Sequence, residues 1–412
     1  MSADTVGGVW TYAMSLARAL QPHGVEVVLA AMGKHLTREQ LDQVDRMPNL
    51  QVISSDYALE WMEDPWDSVD AAGQWLACLA DAIRPDLIHF NHYAHASFEW
   101  ECPILVVCHS CVLTWWQAVH QTLPPDTFDR YRDVVSNGLI AADEVVAPTA
   151  ALASAMQRAY GLSATPGVIY NGSDFEPPCR RGVSERSPTI FTAGRLWDEA
   201  KNLSALVRAA PDLPWSIDVA GPRQTPTHNA DTNTASDETS TESGGATGEA
   251  GFPPNMTILG QLTHDEIAER MSICGIYCLP ARYEPFGLSI LEAARCGAPL
   301  VLGDIPTLRE LWDGAATFID PDDVRGLRIA LLELIEKPEQ REQRSRAARE
   351  RADRYTLNRM GRAYHKLYLA LLQNRTRRAD STRTDLDAIR RRPIGDPEIE
   401  RIRADPERKR NA

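Results

Sequence analysis

Short apolar runs rich in β-branched residues recur along this chain, each followed by a helical pattern, and the whole series occurs twice. Residues 25–30, 86–91, 103–108 and 143–148 read as buried strands, with helices over 10–20, over 68–83 and from Thr149 between them. Gly167-Val168-Ile169-Tyr170-Asn171-Gly172 closes the first series. Residues 174–187 are polar and charged with two prolines, the composition of a linker. Strands follow again at 189–193, 215–220, 256–259, 275–279, 299–302 and 317–319, with a helix over 202–210 and others between. Strands apolar along their whole length belong to parallel sheets covered on both faces. Two such βαβ series predict an α/β chain with two doubly wound, Rossmann-like domains facing across a cleft. The expected boundaries are 1–175 and 188–355, with a helix at 356–372 packing back toward the first domain.

A length of 412 residues is too great for one ordinary core, in keeping with two domains. Residues 223–251 are Thr, Ser, Asn, Asp, Glu and Gly with almost no large apolar side chain, so they are expected to be a disordered insertion. The Arg-rich, mixed-charge residues 373–412 are expected to be a disordered tail. A net charge of −14 excludes a general binder of nucleic acid, whose phosphates demand a basic face. No apolar run approaches the roughly 20 residues needed to cross a bilayer. The first residues show no charged region followed by an apolar one, so no secretory signal is visible and a cytoplasmic protein is expected. The eight cysteines fall mostly in apolar runs and read as small buried hydrophobes. Cys108-His109-Ser110-Cys111 is formally a C-x-x-C, yet no second Cys/His pair offers the remaining ligands of a closed zinc site.

Three places carry chemistry. Gly7-Gly8 precedes a helix, where backbone can approach a ligand and free amides can face an anion. Gly194-Arg195 ends a strand and Lys201 opens the next helix, placing two cations at the carboxyl edge of a parallel sheet. The most specific run is residues 282–299, a loop that enters a helix near Phe286. It holds Glu284 just before the helix and Glu292 on an apolar stretch within it. A carboxylate there is costly unless paired or bound to hydroxyls. The plainer account makes Glu284 a helix-dipole partner and Glu292 half of a buried ion pair; it explains each alone but not both.

Glu284 and Glu292 form an E-x7-E motif, and with Glu284-Pro285-Phe286-Gly287-Leu288 and Leu291-Glu292-Ala293 the chain resembles the retaining family-4 glycosyltransferases (glycosyl transferases group 1) of the GT-B fold. Gly7-Gly8-Val9, Val168 to Gly172, Gly194-Arg195-Leu196 with Lys201-Asn202, and Leu259-Gly260 are similar to further family segments, in order, over roughly residues 5–370. The resemblance implies transfer of a sugar from a nucleoside-diphosphate sugar to a glycan, lipid or small-molecule acceptor, with retention of configuration. The first domain would then be the acceptor side and the second the nucleotide-sugar side. Arg195 and Lys201 would hold the donor diphosphate beside Gly7, Gly8 and the amides of Gly287 and Leu288. Glu292 would take the ribose hydroxyls, Glu284 would meet the transferred sugar, and His109 would line the sugar pocket. Trp115 and Trp116 could stack on an acceptor sugar, though buried aromatics are commoner. No Asp or Glu is placed as a covalent nucleophile, so front-face attack is expected. No cofactor and no metal are implied; peripheral contact with the inner face of a membrane fits a lipid-linked acceptor.

Three departures from the family stand out, the first being residues 223–251 where the family usually has a short loop. One residue more than the commoner spacing separates Arg195 from Lys201. Only Met1 to Val6 precede the glycine loop, too few and too polar for a buried strand, so the first, central strand of the N-terminal sheet is expected to be missing. A start set too far downstream would be its simplest cause. Alternatives are a GT-B-fold nucleotide-sugar epimerase and a catalytically silent sugar-nucleotide-binding protein.

Overall fold

The computed structural model describes residues 1–5, 7–178, 182, 185–222 and 252–390; the expected insertion at 223–251 and residues 391–412 of the expected tail lie outside them. In the first half, β1 (Ser2–Asp4), β2 (Val27–Met32) and β3 (Leu50–Ser54) form one parallel ladder. A second parallel ladder holds β4 (Ile88–Phe90), β5 (Ile104–Val107), β6 (Glu144–Ala147) and β7 (Gly167–Val168) in chain order. Helices α1 (Gly8–Leu20), α2 (Arg38–Asp45), α3 (Trp66–Ile83), α4 (Val112–His120), α5 (Asp129–Ala141) and α6 (Ala150–Tyr160) connect the strands. On α1 the buried Trp10, Ala13, Leu16, Ala17 and Leu20 recur at three- and four-residue spacing, the stripe that seats a helix on a sheet.

The first strand is present, which corrects the expectation of a missing one. Ser2, Ala3 and Asp4 pair with Ala30, Ala31 and Met32, and all three are buried. Polar residues can occupy this slot because they are satisfied rather than merely enclosed. Asn91 donates from its amide side chain to the Ser2 carbonyl at 2.6 Å and from its backbone N–H to Ser2 Oγ at 3.1 Å. The amino group of Met1 donates to the Val28 carbonyl at 2.8 Å. These side-chain bonds join β1 to the end of β4, where the two ladders meet without strand pairing.

The second half is one six-stranded parallel sheet. β8 (Ser187–Ala193), β9 (Ser216–Ala220), β10 (Met256–Gly260), β11 (Cys274–Leu279), β12 (Leu300–Gly303) and β13 (Ala316–Ile319) lie in the order β10-β9-β8-β11-β12-β13. Helices α7 (Leu203–Ala209), α8 (His264–Ile273), α9 (Leu288–Arg295), α10 (Pro306–Trp312), α11 (Val324–Glu336) and α12 (Pro338–Ala352) cover it. Side chains alternate along β11: Tyr277 and Leu279 pack on Phe191, Leu291 and Trp312, while Ile276 and Cys278 pack on Ile190, Leu206 and Leu331. Both faces are therefore dry, which is why the strands read as continuous apolar runs. Strand order reverses between β8 and β11, the switch point at which doubly wound sheets open a crevice beyond their carboxyl ends.

The final helix, α13 (Leu357–Arg390), does not stop at the expected Leu372. Residues 362–392 contain neither Pro nor Gly, so nothing in the sequence breaks the helix before Pro393. Its start lies against the first half: Tyr364 stacks edge-on to Tyr12, and His365 stacks on His23 at 4.5 Å. The chain forms two compact units, Met1–His365 and Lys366–Ala412.

Candidate active site

The crevice is built from the ends of β8 and β11. Beyond β8 the chain turns at Gly194, and Gly221 backs this turn at φ +142°, where a Cβ would fall 1.7 Å from the Gly194 carbonyl oxygen. No other residue fits there. Asp198 then caps a short 3₁₀ turn, Glu199–Lys201, accepting from Ala200 N–H at 3.0 Å. The stem of Lys201 lies along Gly194, and its Nζ reaches Glu284 Oε2 at 2.6 Å.

The loop after β11 brings in Glu284. Its backbone is fixed by Arg282 N–H donating to the Ala200 carbonyl at 2.8 Å and by Thr307 Oγ1 donating to the Glu284 carbonyl at 2.6 Å. Gly287 then takes φ +83° as the N-cap of α9, with no side chain capping the helix. The amides from Leu288 onward are thus left for an outside partner. α1 has the same open start: Gly7 caps it without a side chain, and nothing lies within 4 Å of where a Gly8 Cβ would stand. Arg195 Nη1 is 3.7 Å from the Cβ position of Gly7, so the cation of one half faces the helix start of the other.

Glu292 lies on α9 and is 9% exposed. No ion pair or hydrogen bond from a described residue reaches its carboxylate, in contrast to the buried ion pair of the plainer account. Burial pushes the group up to about 7, with His264 pulling the other way. Glu284 makes its ion pair with Lys201.

His109 follows β5. Its Nε2 pairs with Asn91 Oδ1 at 2.7 Å and its ring stands edge-on to Tyr12 at 4.3 Å. Burial lowers it to about 3, so the imidazole is neutral at ordinary pH. The His109 segment meets the Glu284 loop through Tyr283, whose hydroxyl accepts from Cys111 N–H at 3.3 Å and bonds Thr114 Oγ1 at 2.9 Å. Trp115 is engaged as well: its Nε1 donates to Asp198 Oδ1 at 3.0 Å across the two halves. Trp116 donates to Thr122 and leans on His120 at 4.3 Å. Cys111 Sγ accepts from Thr114 N–H at the start of α4, and burial pushes the thiols of Cys108 and Cys111 up, which makes both inert. Among the described residues no group of three or more His, Cys, Asp or Glu could hold a metal.

Arg195, Lys201, Glu284, Gly287 and Gly7 are thereby linked by contacts at one crevice, with Glu292 farther along α9 and His109 on the opposing half. The residues that sequence reasoning missed are Asp198, Tyr283, Asn91 and Tyr12. Asp198 alone carried a local signal, an acidic residue three positions after Arg195 and at the start of a turn.

The family model of the glycosyl transferases group 1 matches residues 180–351, and that of glycosyltransferase family 4 matches residues 6–176. The chain belongs to the group 1 glycosyltransferases. This glycosyltransferase is 23% identical over 361 residues to a D-inositol 3-phosphate glycosyltransferase of Xylanimonas cellulosilytica, covering 78% of this chain and 79% of the relative. Its fold is that of sucrose-phosphate synthase from Thermosynechococcus elongatus, with TM-score 0.70 and 17% identity over 90% of this chain and 95% of that one. HepE of Anabaena, solved in complex with UDP-glucose, superposes with TM-score 0.64 and 18% identity over 90% of this chain and all of that one. The glycosyltransferase thus has the GT-B architecture expected from its sequence, and it is an enzyme of the glycosyl-transferring class. Among the described residues no helix is long and apolar enough to cross a membrane.

Proposed function

We propose that the crevice binds a nucleoside-diphosphate sugar, with the diphosphate between Arg195, Lys201 and the open starts of α1 and α9, and passes the sugar to an acceptor hydroxyl with retention of configuration. The observation that carries this reading is the convergence of two cations and two uncapped helix starts at the switch point of the sheet. Such a site favours an anion, and most of all the charge that grows on a leaving diphosphate. Arg195 offers a planar fork and Lys201 a mobile point charge. Lys201 is held by Glu284 and would exchange that carboxylate for donor oxygens, leaving Glu284 beside the transferred sugar. Glu292, whose carboxylate takes no hydrogen bond or ion pair from a described residue, suits donation from ribose hydroxyls. Neutral His109 can accept from or donate to a sugar hydroxyl but cannot repel a developing positive charge at the anomeric carbon. The acceptor would attack from the face the diphosphate leaves, its proton passing to a leaving oxygen.

UDP-glucose, bound by HepE, is the first donor to test, and polyol or sugar phosphates are the first acceptors, given the names of the inositol- and sucrose-phosphate relatives. The reaction is proposed to run in the cytoplasm, with a lipid-linked acceptor at the inner membrane face as the variant that vesicle flotation would reveal. The family assignment leaves the epimerase and the silent binding protein without support. A panel of UDP-, GDP- and ADP-sugars, with and without acceptors, tests the reading: transfer with a retained anomeric signal by NMR supports it. Epimerised donor without acceptor, or binding without turnover, overturns it.

A further inference from the structure

We propose that Asp198 is a positioning residue that aims Arg195 into the crevice and, through Trp115, makes that aim depend on the first half being seated. The inference rests on the donor-site reading above. Asp198 is buried, and each of its oxygens is committed. Oδ2 takes Arg195 Nη2 at 2.7 Å; Oδ1 takes both Ala200 N–H at 3.0 Å and Trp115 Nε1 at 3.0 Å. A helix cap alone needs only the second of these three bonds. The carboxylate faces Arg195 and Lys201 on its own loop and Trp115 on α4, and among the described residues no second acid is bonded to it. Burial by itself raises the Asp198 carboxyl, but the two cations and the Trp115 N–H outweigh it and hold the group below the usual carboxylate range.

Arg195 has few other restraints. Its guanidinium lies 5.2 Å from the Trp197 ring, and its Nε, though buried, has no hydrogen-bond partner among the described residues. Without Asp198 the side chain would sample rotamers with the fork turned away from the anion, and the gain from preorganised charge would fall. Trp115 comes from the first half, so its bond to Asp198 forms only when α4 lies against the 3₁₀ turn. Closing the crevice and setting the cation are thereby one event.

Three variants test this: Asp198→Asn, Trp115→Phe and the double. Asp198→Asn keeps an Oδ1 for the cap and for Trp115 but turns an amide N–H toward Arg195. The affinities for UDP, GDP and ADP by calorimetry are read beside kcat and KM. Asp198→Asn is expected to weaken the preferred diphosphate about 10-fold and to lower kcat about 30-fold. Trp115→Phe is expected to lower kcat about 5-fold with nearly unchanged diphosphate affinity. Added to Asp198→Asn it should lower kcat by less than about 2-fold more, because the two act through one bond network. Full additivity, or losses that follow the thermal midpoint alone, would overturn the positioning role. If Asp198→Asn fails to fold, Trp115→Phe, which leaves the cap intact, decides: unchanged kcat refutes the coupling. A wild-type protein that neither binds any diphosphate nor transfers sugar refutes the donor site itself, whereas normal wild type with normal variants refutes only Asp198.

Discussion

Lys201 and Glu284 form a 2.6 Å ion pair in which the side chains are only 17% and 13% exposed, so neither partner can be removed without stranding the other. Lys201→Ala is therefore expected to lose both stability and activity, and Lys201→Ala with Glu284→Gln to regain stability but not transfer. Denaturant midpoints beside turnover would show the split. Glu292 gives a second expectation. It is pushed up to about 7 from 4.5, so below that pH it carries a proton and cannot accept two ribose hydroxyls. Donor affinity should rise between pH 6 and 8 by about 10-fold, one proton's worth over this range, and Glu292→Gln should flatten the profile. For stability the sign is opposite: the folded protein binds the extra proton between about 4.5 and 7, so this group costs stability as pH rises through that window. At this scale only placement was readable in the sequence: the burial of Glu292 on its apolar stretch and the position of Arg195 just beyond a strand. Tyr283 escaped it because its partner Thr114 is far away in the chain, and Asp198 showed only its neighbour Arg195 and not the distant Trp115.

Elements decide how firmly these side chains are held. Gly221 carries the turn after β9 against the turn after β8, and a Cβ there would overlap the Gly194 carbonyl. Gly221→Ala is expected to cost about 3 kcal/mol or more in equilibrium unfolding and to lower transfer by shifting Arg195. Most of the parallel strands were legible because they are apolar along their length, but β3, Leu50-Gln51-Val52-Ile53-Ser54 with no buried residue, was not. β1 was not, since Ser2 and Asp4 are polar and its fit comes from Asn91, a residue distant in sequence. The length of α13 was hidden by its polarity, although residues 362–392 contain no Pro or Gly to end it.

Across Met1–His365 the halves are latched around the crevice by backbone-directed bonds. Glu310 of α10 accepts the N–H groups of Ala150 and Ala151 at the start of α6, both at 2.8 Å, and Arg295 donates to the Ser173 and Phe175 carbonyls at 2.8 Å. Glu310→Ala removes an anion from a helix start and should cost about 1 kcal/mol while lowering kcat/KM several-fold, because the closed arrangement is what brings Gly7 to Arg195. A drop in stability with unchanged kinetics would make this contact a mere cap.

The most direct test of the donor site is calorimetric binding of UDP, GDP and ADP, each against its nucleoside, to wild type, Arg195→Ala and Lys201→Ala. At least one diphosphate should bind wild type far more tightly than its nucleoside, and each substitution should weaken the diphosphate about 10-fold or more while leaving nucleoside binding unchanged, as expected when one charge-assisted contact is lost. Equal affinity for diphosphate and nucleoside, or diphosphate binding that survives both substitutions intact, would contradict the account.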